Sequence, residues 1–67
     1  MLVATYEMPS FTTKKDAEDM AKPHGLKLVS FERLNGNLIA KFEAAHAHQV
    51  GAFSADLSYH AIDIEAR

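Results

Sequence analysis

Apolar and polar residues alternate from Leu2 to Met8. Leu2, Ala4, Tyr6 and Met8 point one way, and Val3, Thr5 and Glu7 the other. A period of two marks a half-buried strand, and Pro9, which has no N–H to give to a ladder, ends it. The period then lengthens. Ala17, Met20 and Ala21 recur at helical spacing. Thr12 or Thr13 is placed to cap that helix, because a hydroxyl oxygen accepts from an unpaired N–H of the first turn. The helix runs to about Lys22, where Pro23 disfavours helical geometry and Gly25 suits the left-handed residue that closes a helix.

Two β-rich runs follow, Leu26 to Leu34 and Asn37 to Ala44, separated by Asn35-Gly36. A type I′ turn needs positive φ at both central residues, which makes Asn-Gly the strongest short hairpin signal. The turn fixes a register in which Leu34 faces Asn37, Arg33 faces Leu38, Phe31 faces Ala40 and Val29 faces Phe42. One face then collects Val29, Phe31, Leu38, Ala40 and Phe42. The other collects Ser30, Glu32, Ile39, Lys41 and Glu43. Leu26 and Leu28 fall on the wrong side of this pattern, so either a bulge precedes Val29 or that end of the sheet is covered on both sides.

From Ala44 to Leu57 the chain is Ala-rich and free of Pro. Ala47, Val50, Phe53, Ser54 and Leu57 share one helical face, and His48, Gln49, Ala52 and Asp56 the other. A helix is the reading adopted; continuation of the preceding strand through His48 competes with it. Tyr59 to Glu65 alternates again, with His60, Ile62 and Ile64 on one side and Tyr59, Ala61, Asp63 and Glu65 on the other.

The order βαββαβ, with short central connections, implies an α+β domain of split βαβ, ferredoxin-like arrangement. It has a four-stranded antiparallel sheet with both helices on one face. The expected core is Leu2, Ala4, Tyr6, Met20, Val29, Phe31, Leu38, Phe42, Val50, Phe53, Leu57, Ile62 and Ile64. The 67 residues make a single small domain, 1–67. A chain of this size buries roughly 60% of the surface its unfolded form exposes, so its stability is marginal without a partner.

Composition narrows the chemistry. There is no Cys, which excludes disulfides, thiolate metal sites and Cys nucleophiles. No apolar run approaches the ~20 residues needed to span a bilayer, and the start reaches Glu7 without a basic segment, unlike a signal peptide. The expectation is a complete, cytoplasmic protein that binds no membrane. Seven Lys and Arg against nine Asp and Glu give a net charge of −2, with no global attraction to nucleic acid. A heavy-metal carrier of this shape needs a Cys pair near the first loop. An RNA-recognition domain needs exposed aromatics in a basic background. A regulatory amino-acid sensor needs a Gly-rich first loop. None of these patterns is present, and no family is recognised.

Four histidines remain. On a strand, His46 and His48 would face the same side and could share a metal; on a helix they lie about 200° apart. His60 is expected over the core, and His24 in the loop that ends the first helix. Ser54, His60 and Asp56 make a triad on paper, but no nucleophile-elbow glycines surround Ser54. Asp63 and Glu65 are neighbours on a strand, with no pocket implied that would split their pKa values. Lys14 and Lys15 open the first helix and are balanced there by Asp16, Glu18 and Asp19.

The sheet face opposite the helices stands above this background. It is expected to carry Val3, Leu28, Ile39 and Tyr59 inside a rim of acids, and such patches mark association sites. The expectation is a non-enzymatic protein-interaction module without cofactor or metal. Its partner is a protein with a basic surface, or a second copy of the chain. The contact residues would be Glu7, Glu32, Ile39, Lys41, Glu43, Tyr59, Asp63 and Glu65. One version is a stand-alone inhibitor of a nucleic-acid-handling complex, of the kind that viruses and mobile elements encode. The alternative is a small-ligand or metal sensor using His46, His48 and His60.

Overall fold

A computed structural model describes residues 1–67. The alternating first segment forms β1 (Leu2–Met8), followed by α1 (Lys14–Ala21) and a 3-10 turn at Lys22–His24. Then come β2 (Lys27–Leu34), β3 (Asn37–Ala44), α2 (Ala47–Leu57) and β4 (Asp63–Ala66). Thr13 is the cap of α1: its Oγ1 accepts from the Asp16 N–H at 3.1 Å, and Asp16 Oδ2 accepts from the Thr13 N–H at 3.3 Å. This reciprocal box satisfies two donors that a helix start otherwise leaves free. Gly25, at φ 75°, closes the 3-10 turn, and its N–H donates to the Lys22 carbonyl.

The four strands form one sheet in the order β2-β3-β1-β4, and every neighbouring pair is antiparallel. Asn35 and Gly36 have φ of 50° and 83°, as the type I′ turn requires. The expected pairs Leu34–Asn37, Arg33–Leu38 and Phe31–Ala40 all form. The fourth does not. The register shifts between Leu28 and Ser30, so Leu28, not Val29, lies opposite Phe42. Val29 is the extra residue of a bulge and stands 45% exposed. The bulge therefore lies at Val29 rather than before it, and it returns Leu28 to the core side.

One cluster makes the core. β1 and β3 supply Ala4, Tyr6, Met8, Leu38, Ala40, Phe42 and Ala44; α1 supplies Ala17 and Ala21; α2 supplies Val50 and Phe53; and Leu26 closes one end. Both helices thus cover the same face of the sheet. Tyr6, Phe42 and Phe53 pack edge to face, with ring centroids 5.8, 5.2 and 5.0 Å apart. In this arrangement the positive rim of one ring meets the negative face of the next. Small residues (Ala4, Ala17, Ala21, Ala40) let the helices sit close to the sheet.

The helical layer stops short of β4. Ile64 lies opposite Ala4 and so faces the helix side, yet it is 52% exposed, and Ile62 is 60% exposed. Both were expected in the core, together with Val29. Leu2, Met20, Phe31 and Leu57 are packed against the core but only partly buried. The last strand is also shorter than its alternation suggests. Tyr59 to Ile62 lead from the helix to the sheet, and pairing begins with the Ile62 N–H donating to the Thr5 carbonyl at 2.8 Å.

Candidate functional site

The register assigns the open face residue by residue. Its rows read Lys27–Glu43–Val3–Glu65, then Ser30–Lys41–Thr5–Asp63, then Glu32–Ile39–Glu7. Seven of the eight residues expected there from the sequence share this surface. Tyr59 does not. It packs against the core, with its ring 6.4 Å from that of Tyr6 and its hydroxyl donating to Met8 Sδ at 3.5 Å. Leu28 and Ala61 also turn to the core side. Each leaves the open face for a local reason: a bulge moves Leu28, while Tyr59 and Ala61 precede the strand and escape its alternation.

This makes the surface less apolar and more electrostatic than its pattern implies. Val3 is 3% exposed and Thr5 8% exposed, although no helix covers them. They sit on a central strand, and longer side chains flank both of them. The stems of such side chains cover apolar neighbours while their charged ends stay in water. Glu7, Glu32, Glu43, Asp63 and Glu65 thus stand over a closed floor, and Ile39 is the apolar residue left partly open. Glu65 accepts from Arg67 at 3.3 Å; the other four carboxylates have no ion-pair partner, and neither do Lys27 and Lys41. Five of the nine acids of the chain are gathered here.

A second feature lies on the other side of the sheet. A hollow of about 270 Å³ separates α2 from β4, with Leu2, Ala47, Val50, Gly51, Ala61 and Ile64 in its lining. His60 is at this hollow and exposed rather than packed over the core.

His24 lies in the 3-10 turn that ends α1, as expected, whereas His46 is placed differently from expectation. His46 caps α2 from an extended conformation, so the helical separation from His48 does not apply to it. The two rings stack 5.4 Å apart with an 11° tilt. Gln49 holds this start: its Oε1 accepts from the His46 N–H at 2.9 Å. No three His, Cys, Asp or Glu side chains are grouped to hold a metal ion. His24 Nε2 lies 3.2 Å from Asp56 Oδ2, and its ring lies against Phe53, tying the 3-10 turn to α2.

Ser54 serves the core rather than a triad. Its Oγ is 2.7 Å from the Tyr6 hydroxyl, which also reaches the Val50 carbonyl at 3.3 Å. With the phenol proton given to Val50, Ser54 donates to the phenol oxygen, and all three groups are satisfied. Burial pushes the Tyr6 phenol above its ordinary pKa, and the Ser54 hydrogen bond only partly opposes this. Tyr59 is likewise raised, first by burial and then by the neighbouring Tyr6.

No helix is long and apolar enough to cross a membrane. Compared with known proteins, the chain matches no family model, no curated protein and no solved structure.

Proposed function

We propose that this chain is a non-enzymatic protein-interaction module of split βαβ, ferredoxin-like topology that docks its open face on a protein with a basic surface. The observation that supports the reading is the set of carboxylates Glu7, Glu32, Glu43 and Asp63, all on one face and none held in an ion pair within the chain. Complementary charge steers encounter and fixes register. The same carboxylates disfavour direct contact with nucleic acid or an anionic membrane. They also disfavour face-to-face pairing of two copies, which would set like charges against each other. Basic surfaces are what nucleic-acid-handling proteins present, so a stand-alone inhibitor of such a complex is the specific form of this reading. Asp63 and Glu65 stand on an open strand surface rather than in a cleft, which favours binding over acid–base catalysis.

The test compares quantitative affinity capture by the native chain and by Glu32→Lys/Glu43→Lys/Glu65→Lys. The native chain should enrich proteins with basic surfaces in a salt-dependent manner. The triple variant should lose them while its circular dichroism is unchanged. Equal capture by both overturns the reading.

The closeness of the His46 and His48 rings, 5.4 Å apart, favours a second reading, a metal or small-ligand sensor using this pair. Thermal melts with and without zinc separate under that reading and coincide under the first.

A further inference from the structure

We propose that the outer edge of β4 is a strand-addition site for an extended peptide segment whose residues alternate apolar and basic. The inference goes beyond docking on the acidic face: it shares Asp63 and Glu65 with that face and otherwise rests on different atoms.

The backbone specifies the first requirement. Met1 N donates to the Arg67 carbonyl at 2.9 Å, and Arg67 N donates to the Met1 carbonyl at 2.7 Å. This is an antiparallel pair exchanging both bonds, and such pairs alternate along a ladder. In the register of β1 with β4, Val3–Glu65 is the next bonded pair, and Leu2–Ala66 and Ala4–Ile64 are not. The N–H and C=O groups of Ile64 and Ala66 therefore point away from β1. β4 is the outermost strand, so these groups form an unpaired edge. Another strand is the occupant that satisfies them.

The two sides of that edge specify the sequence of the occupant. On the helix side lies the hollow of about 270 Å³ between α2 and β4, with half-open Ile64 at its border. Residues of an added strand opposite Ile64 and Ala66 would project over this hollow, where apolar side chains gain from burial. Residues opposite Asp63 and Glu65 would emerge on the acidic face, where Lys or Arg finds carboxylates directly across the ladder. Strand parity makes the two demands alternate.

A second copy fits poorly in the register that sets the two Ile64 residues opposite each other. Antiparallel pairing of two β4 strands centred on Ile64 opposes Asp63 to Glu65, like charge to like. The other edge of the sheet is protected by contrast: β2 carries the bulge at Val29 and exposed Lys27, Glu32 and Arg33, devices that discourage added strands.

The probe is a capped heptapeptide of alternating Lys and Val, added to the ¹⁵N-labelled full chain at physiological salt. Amide exchange at Ile64 and Ala66 should slow about tenfold when the peptide is at roughly ten times its Kd. A heptapeptide of alternating Glu and Val should give no protection. Ile64→Pro removes an outward N–H that β1 does not use, so it should abolish binding with the circular dichroism retained. If it fails to fold, Ala66→Pro makes the same cut next to the chain end. Glu7→Lys/Glu32→Lys, at residues outside the β1–β4 ladder, should change peptide affinity by less than about threefold under screening. That pair separates this site from docking by the broad face. No protection by the Lys–Val peptide, equal protection by the Glu–Val peptide, or protection along β2 instead would overturn the proposal. So would a dimer in which the Ile64 and Ala66 amides are already protected.

Discussion

The two faces of the central strands β1 and β3 alternate along the same two segments, yet they do opposite things. On β1 and β3, Ala4, Tyr6, Leu38, Ala40 and Phe42 are essentially fully buried under the helices. One position along in each case, Glu7, Lys41 and Glu43 meet water. The lesson lies in Val3 and Thr5. They belong to the open face by parity but are buried by neighbours on the sheet itself, so a sheet face closes its own apolar floor when long charged side chains flank it. What distinguishes the two faces is therefore less hydrophobicity than the fate of polar groups. On the helix side, the one deep polar cluster, Tyr6 with Ser54 and the Val50 carbonyl, is internally satisfied. On the open side, four of the five carboxylates have no ion-pair partner.

The contrast is broken most severely at Phe42. Phe42→Ala should cost about 3–5 kcal/mol, comparable to the whole stability of a domain of this size. Glu43→Ala, its neighbour on the other face, should stay within about 0.5 kcal/mol. Urea denaturation followed by circular dichroism measures both. Comparable losses for the two variants would refute the two-face picture.

The next effect belongs to the buried hydroxyls. Tyr6→Phe leaves Ser54 without its partner and should cost about 1–3 kcal/mol, with Ser54→Ala in the same range. Because they share one hydrogen bond, the double variant should lose less than the two singles together. Strict additivity would show that the contact contributes nothing.

Alkaline pH probes the same hydroxyls. The phenols of Tyr6 and Tyr59 are raised in the folded chain above the ordinary value of about 10. A raised folded pKa contributes stability that is fully present below the unfolded value and is lost as pH rises through the folded values. Absorbance at the phenolate band should therefore show both tyrosines of the chain ionising late, together with loss of secondary structure. Phenolate appearing at the ordinary pKa with the fold intact would contradict this.

The smallest effect on stability is expected at the open face. Each reversal in Glu32→Lys/Glu43→Lys/Glu65→Lys should change unfolding free energy by no more than about 0.5 kcal/mol. Loss of partner capture with an unchanged denaturation midpoint separates the binding role of this face from any structural one.

The sequence by itself determined the element order, a threonine cap at Thr12 or Thr13, the Asn35-Gly36 turn and the pairs nearest that turn. All of these rest on interactions within a few residues: a hydroxyl reaching the first turn of its own helix, or two residues forced to positive φ. It also placed Glu32 and Glu43 on the open face, because a period of two carries outward from a fixed turn, and grouped Glu7, Asp63 and Glu65 by alternation within their own strands. The error begins at Val29, since a bulge is decided by what the far end of the strand must bury, and Leu28 and Leu26 gain more against the core than Val29 does. Tyr59, Ala61, Ile62 and Ile64 were misplaced for a related reason. Alternation says which residues share a side; it does not say where a helix ends, how far the helical layer reaches or which strand lies at the edge. Those are properties of the assembled sheet, and they alone left β4 with an open backbone edge, a hollow on one side and carboxylates on the other.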